Sequence, residues 1–306
     1  MAYPTPAVTV TTAATFIPEI WSDEVVAAYK KHLVAANVFK KMSFKGKKGD
    51  TINIPKPTRG AASVKAASTA VTLIAATETN IPVLINKHYE YSRFIEDIVE
   101  VQALSSLRRF YTDDAGYALA KQVDTDLVQL GRTFNAGAAT AAYTKGLIGG
   151  DGTTLYTGNS RNCSDITDAG IRAMLLKLDN ADVPMDGRTL VVPPIAANDL
   201  LGINRFTEQQ FIGNGDAIAT GKIGMIYGVD VMITSSCPVT TGAATATDRV
   251  GMLIHKDALV LAEQVGVRSQ TQYKQEYLGD LFTSDTIYGI AELRNDAGVA
   301  FVVPGT

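Results

Sequence analysis

The sequence predicts an α+β protein built along one long helix, and three observations carry that prediction. Apolar residues step by three or four from Leu104 through Leu107, Tyr111, Ala115, Leu119, Val123, Leu127 and Leu130 to Phe134, a helix of about 46 Å. Before it, Ile52 and Ile54, then Ile81, Val83, Ile85, Tyr89 and Tyr91, alternate as half-buried strands do. After it, an α/β stretch gives way to a strand-rich final third. A compact globule of 306 residues has a radius of gyration of about 19 Å, so such a helix runs the full width of the molecule.

Residues 1–20 are rich in Thr, Ala and Pro without a period, which predicts an extended arm. Trp21, Val25, Ala28, Tyr29 and His32 or Leu33 then recur at helical spacing, a short amphipathic helix over about Ser22 to Val34. Pro55, Pro57 and Pro82 remove ladder donors, which confines the next two strands to a sheet edge or a two-stranded ribbon. Between them lies TRGAASVKAASTAVTLIAATETN, small and β-branched, with little to bury. A strand from Thr51 to Val64 would reach about 46 Å, and a hairpin that long is marginal alone in water, so a partner must cover it.

Asn135 to Gly137 supplies a stop for the long helix, and Gly146 to Asn159 reads as a loop or weak hairpin. Thr167 can cap a helix whose Ile171, Met174, Leu175 and Leu178 fill one face. Thr189 to Val192 is a buried strand, broken by Pro193 and Pro194, and Ala196 to Leu201 starts another helix. Val250 to Ile254 and Leu259 to Ala262 are buried strands. Ile287 to Leu293 and Val299 to Val303 bracket RNDAG, read as a hairpin turn with Gly298 in the left-handed position.

The chain is 46% hydrophobic, enough to build a core. No apolar run reaches the roughly 18 residues of a membrane span, and the N-terminus lacks the pattern of a secretory signal, so the expected setting is a cytoplasm. Cys163 and Cys237 lie far apart and are expected as free buried thiols; His32, His88 and His255 are equally scattered. Gly46 to Thr51 and Gly215 to Ile223 mimic phosphate loops, but neither has the spacing, and Gly146 to Asn159 lacks the spaced glycines of a dinucleotide turn. No metal-ligand set, cofactor motif or catalytic constellation is found, which argues against an enzyme.

The charge is segregated. From Lys30 to Lys65 ten Lys/Arg face one acid, a net of +9, so with an overall net of −3 the rest of the chain carries −12. Such segregation suits either the sticking together of copies or the holding of a polyanion. A polybasic nucleic-acid-binding module is the weaker reading: the strip holds only Phe39 and Phe44 as aromatics, and the chain is acidic overall.

The order of parts (arm, two-stranded loop, long helix, α/β domain, closing strands) resembles the major capsid protein of tailed bacteriophages with the Hong Kong 97-type fold. GKIGMIYGVDVMITSSCP, Gly221 to Pro238, and TLVVPPIAANDLL, Thr189 to Leu201, resemble that family's consecutive strand units. FIPEIWSDEVV and VLINKHYEYSRFIEDI are similar to segments of short-tailed phage coat proteins. The resemblance implies a division into an arm with a short helix (1–46), an extended loop (47–94), a peripheral domain with a spine helix (95–161), an axial domain (162–265) and closing strands of the peripheral domain (266–306).

It also implies a coat protein that assembles with itself into pentamers and hexamers of an icosahedral head around double-stranded DNA, in the host cytoplasm, without cofactor or membrane. The extended loop would lie across a neighbouring copy. Lys47, Lys48, Arg59 and Lys65 of the loop would then meet Glu96, Asp97, Glu100, Asp113 and Asp114 near the spine of that copy. Partners implied are a portal protein, a decoration protein, packaged DNA held by non-specific contact, and a scaffolding protein that is separate or already removed, since the arm helix begins by residue 22. A bacterial nanocompartment shell of the same fold is the nearest alternative. A few family members weld loop lysine to a neighbour's asparagine beside a glutamate in an apolar pocket. Here Lys65, Asn295 and Glu292 would be the trio, but the small residues around Lys65 cannot desolvate its amine, and a non-covalent shell is expected.

Overall fold

The structure is a computed structural model that describes residues 35–44, 49–56, 60–71, 73, 78–97, 107–134, 147–156, 163–203, 224–240 and 247–305. The arm helix over Ser22 to Val34, the stop at Asn135 to Gly137, the two phosphate-loop mimics as wholes, and Lys47, Lys48, Arg59 and Glu100 lie outside the described residues. Three sheets organise the rest. One has the order β1 (Lys40–Ser43), β10 (Leu259–Lys274), β11 (Gly279–Glu292), β4 (Lys87–Glu96). β1 is parallel to β10, and the other pairings are antiparallel. A six-stranded sheet has the order β5 (Ile148–Gly149), β12 (Gly298–Val303), β9 (Arg249–His255), β6 (Arg188–Val192), β8 (Val229–Ile233), β7 (Met225–Ile226). β2 (Thr51–Lys56) and β3 (Thr79–Leu84) pair only with each other.

After the one-turn α1 (Ala35–Val38), the long helix α2 covers Leu107–Gly131, 25 residues or about 37 Å. Ala115, Leu119 and Leu127 are buried on it, as the spacing predicts, and Phe134 is buried just beyond its end. The helix stops sooner than predicted. Gly131 sits so close to β9 that an added Cβ would lie 2.5 Å from the Met252 sulfur, and Thr133 turns back to the Leu130 carbonyl through its N–H (3.0 Å) and hydroxyl (2.7 Å). The buried face is also less apolar than the pattern suggests. Asp124 is fully buried and accepts the Ala35 N–H at 2.7 Å, which fixes α1 on α2. Asp126 accepts from Lys87 (2.9 Å) and from the Tyr288 hydroxyl (2.7 Å), tying the helix to β4 and β11. Burial, then the Asp126 carboxylate, raises the Tyr288 phenol far above its ordinary value.

The ribbon departs from its predicted length. Pairing runs from Thr51 opposite Leu84 to Lys56 opposite Thr79 and stops one residue before Pro57, well short of Val64. Proline offers no donor to extend a ladder, and the residues that follow have no apolar face to bury. Only the base of the ribbon is packed. Ile52, Ile54 and Val83 rest on Val260 and Ala262 of β10, with Met42, Ala291 and Leu293 around them. Gly289 lets the chain cross there, because a Cβ would lie 2.2 Å from the Leu84 carbonyl oxygen. Beyond the ribbon, residues 60–71 are exposed throughout.

The α/β part follows the sequence closely. Helix α3 (Asp168–Asn180) is capped by the Thr167 hydroxyl, which accepts the Gly170 N–H at 3.0 Å, and buries Ile171, Met174 and Leu178. β6 is buried at every position, and α4 (Pro194–Leu201) opens on a proline at its first turn. The glycine-rich segment is a weak hairpin: Ile148 and Leu155 form an isolated antiparallel bridge. Cys237 is buried, which pushes its thiol up to about 12, and Cys163 is half-buried; the two form no disulfide.

RNDAG does not turn a hairpin. β11 pairs with β10 and β4, whereas β12 pairs with β9 and β5 in the other sheet. Asn295–Ala297 form a 3-10 turn that carries the chain between sheets, and Gly298 is extended at φ −151°. Its glycine serves close packing instead, since a Cβ there would lie 2.6 Å from the Phe134 ring. One continuous core, including Leu127, Phe134, Met174, Leu190, Leu253 and Phe301, joins the helices to the six-stranded sheet.

Candidate inter-subunit surface

Strand register fixes the two faces of the four-stranded sheet. Lys87, Tyr91 and Arg93 of β4 turn toward α2: Lys87 reaches Asp126, the Tyr91 hydroxyl donates to Asp114 at 3.0 Å, and the Arg93 guanidinium lies 5.2 Å from the Tyr111 ring centre. Successive strand residues alternate faces, so His88, Glu90, Ser92, Phe94 and Glu96 turn the other way, where no helix among the described residues covers them. All five are exposed.

The predicted acids gather at one end of this layer. Glu96 closes β4 opposite Gly279, and the next residue, Asp97, accepts the Tyr273 hydroxyl at 2.8 Å. That hydrogen bond holds the Tyr273 phenol above its ordinary value. β4 and α2 run in opposite directions, since Lys87 meets Asp126 and Tyr91 meets Asp114, so Asp113 and Asp114 near the start of α2 lie toward the same end. Asp114 is occupied between helix and strand by Tyr91; Asp113 and Glu96 are exposed. Of the predicted basic residues, Lys65 is described, exposed in the loop. The alternation His88, Glu90, Ser92, Phe94, Glu96 puts a further acid, Glu90, on the open face of β4.

On the same open face a charged clasp crosses three strands. Arg268 of β10 donates to both oxygens of the buried Asp285 on β11 (2.7 and 2.9 Å), and His88 of β4 lies 3.1 Å from the second. The Arg268 hydrogen bonds, ahead of His88, hold the Asp285 carboxyl below its ordinary value. Its contribution is therefore full above the ordinary carboxylate pKa of about 4 and drains away as pH falls through the depressed value. Arg268→Ala should cost stability in urea unfolding near pH 7, and the deficit should shrink as pH falls below the ordinary carboxylate value of about 4 and through the depressed one. A deficit that is constant with pH would contradict the clasp.

The family model for the phage capsid protein matches residues 94–302. The chain belongs to that family. This capsid protein also shares its fold with solved phage structures. A Mycobacterium phage Che8 structure is similar at TM-score 0.72 and 23% identity over 94% of this chain and 97% of that one. The cyanophage P-SCSP1u capsid is similar at TM-score 0.75 and 18% identity over 96% and 95%. The cyanophage Pam1 capsid is similar at TM-score 0.73 and 13% identity over 99% of both chains. A search of curated proteins found no match. The fold is the Hong Kong 97-like capsid fold, and the role of the chain is structural, in the capsid of the virion.

The geometry bears on the welding trio as well. The Glu292 carboxylate accepts the Thr133 hydroxyl at 2.9 Å, which ties it to the end of α2, and Lys65 is exposed. Particles of this capsid protein boiled in detergent should give one band near 32.6 kDa; a ladder abolished by Lys65→Ala would contradict this.

Proposed function

We propose that this capsid protein builds an icosahedral head of pentamers and hexamers around double-stranded DNA, each copy laying its extended loop on a neighbour. The observation that carries the reading is the ribbon: its base is packed, while residues 60–71 are exposed along their whole length. A segment that buries nothing in its own chain has no means of offsetting its ordering entropy except through a partner. The expected charge partners are Lys47, Lys48, Arg59 and Lys65 on the loop and Glu96, Asp97, Glu100, Asp113 and Asp114 on the next copy. Of these, Glu96 and Asp113 are exposed and Asp114 is shared with Tyr91.

The proposed division remains arm 1–46, loop 47–94, peripheral 95–161 with 266–306, and axial 162–265; β5 and β12, both in the peripheral segments, hydrogen-bond into the sheet of the axial strands and join the two. The short-tailed phage segments, a scaffolding protein, a portal, a decoration protein and assembly in the host cytoplasm belong to the same reading. Electron microscopy of the protein, expressed alone and with its scaffold, should show closed shells of uniform diameter. Monomers under both conditions would overturn the reading.

A further inference from the structure

We infer that the crevice at the carboxyl ends of β6 and β8, built by the start of α4, the Ser235–Cys237 loop and Arg249, binds a phosphate group. The inference stands apart from the proposed assembly, which gives this place no role.

The topology makes the crevice. β6 and β8 are parallel neighbours, paired up to Val192 and Ile233, and the Thr234 N–H carries the pairing on to the Val192 carbonyl at 3.1 Å. From these two ends the chain departs in different ways: β6 runs through Pro193 into α4, whereas β8 runs into the loop Ser235, Ser236, Cys237. Parallel strands that send their chains apart leave a cleft outside their carboxyl ends, the common place for a ligand in α/β folds. Here the cleft is about 220 Å³, lined by Pro193, Ile195, Ser235, Cys237, Arg249 and Gly305. Sites for drug-sized ligands run from about 300 to 1,000 Å³, so this one suits a small ion and not a nucleotide.

The donors around it lack acceptors. Arg249 is half-buried, and its guanidinium makes one hydrogen bond, to the Cys237 carbonyl at 3.1 Å, with no carboxylate paired to it among the described residues. A guanidinium carries several N–H donors and a fixed charge, and a charge drawn this far from water is ordinarily paired. Pro193 caps α4 without a side-chain hydrogen bond, so the N–H groups of Ile195 and of the buried Ala196, which open the helix, also have no acceptor among the described residues. Ser236, 9% exposed between Ser235 and Cys237, has a buried hydroxyl with no partner among the described residues. Buried donors rarely stay unpaired. The nearby acids are engaged elsewhere: Asp248 accepts the Tyr156 hydroxyl at 3.0 Å, and Asp124 accepts the Ala35 N–H at 2.7 Å. At the Cys237 thiol, raised first by burial, the Arg249 charge acts more strongly than that of Asp124. A cation, a helix start and hydroxyls that line or flank one small crevice suit an oxyanion, and phosphate offers charged acceptors on every side.

Titration of the full chain with inorganic phosphate at constant ionic strength tests the site, followed by the phosphorus line width and by the amide resonances of Ile195, Ala196 and Ser236. These amides should shift along one saturable curve with a dissociation constant of about 1 mM or tighter. Ser235→Glu, at an exposed position, should leave the fold intact and weaken binding at least about tenfold by setting a like charge in the crevice. Arg249→Gln should weaken it as much by removing the cation; where that variant fails to fold, the Ser235→Glu arm decides alone. A short DNA duplex separates the sources of the group: displacement of the ion assigns the crevice to a backbone phosphate, and undisturbed binding assigns it to the free ion. Shifts that do not saturate by about 20 mM phosphate, or binding that survives Ser235→Glu unchanged, would overturn the site.

Discussion

With Lys47, Lys48, Arg59 and Lys65 all reversed to glutamate, the subunit should fold and close no shells. The four reversals move the loop from +4 to −4 and the chain from −3 to −11. Lys65 lies exposed in the loop, and surface substitutions away from packed features shift folding by about 0.5 kcal/mol or less. At the proposed contact the same change turns each exposed pair, worth about 0 to 1 kcal/mol, into a repulsion of similar size. Small energies decide assembly because they recur at every interface of a shell. Circular dichroism should match the parent while sedimentation shows only small species, and high salt, which shortens the Debye length from about 8 Å to about 3 Å, should restore part of the assembly. A quadruple variant that assembles like the parent in physiological salt would show that charge does not guide the loop.

Limited proteolysis of dissociated subunits should cut first between Arg59 and Glu78, and assembly should protect the same bonds. In the subunit this stretch opens at no cost, because residues 60–71 make no buried contact, whereas the ribbon below is packed on Val260 and Ala262. Seating the tip on a neighbour raises the opening free energy by about 3 kcal/mol if two apolar side chains are buried, a slowing on the order of 100-fold. Trypsin can cut after Arg59 and Lys65, so the first fragments are defined in advance. Cleavage at equal rates in shells and subunits would mean that the loop stays in solvent after assembly.

The elements written by one local rule were legible in the sequence. Thr167 caps α3 because a hydroxyl at that place serves an unpaired N–H, and Leu190 to Val192 of β6 are buried as an uninterrupted apolar run. The failures share a cause: each depended on a distant partner. At the end of α2 residue 131 has to be glycine because of Met252, far along the chain. RNDAG looks like a hairpin because apolar strands flank it, but β9 takes β12 and β10 with β4 takes β11. The acids of the candidate surface follow from charge alone, which carries no sign that Asp114 accepts the Tyr91 hydroxyl across helix and strand.

A single-particle reconstruction of the assembled shell, at a resolution that traces the chain, tests the central claim most directly. It should show residues 60–71 ordered against a neighbouring copy, with the Lys65 amine near Glu96, Asp97 or Asp113. A closed shell in which that loop touches no other copy would contradict it.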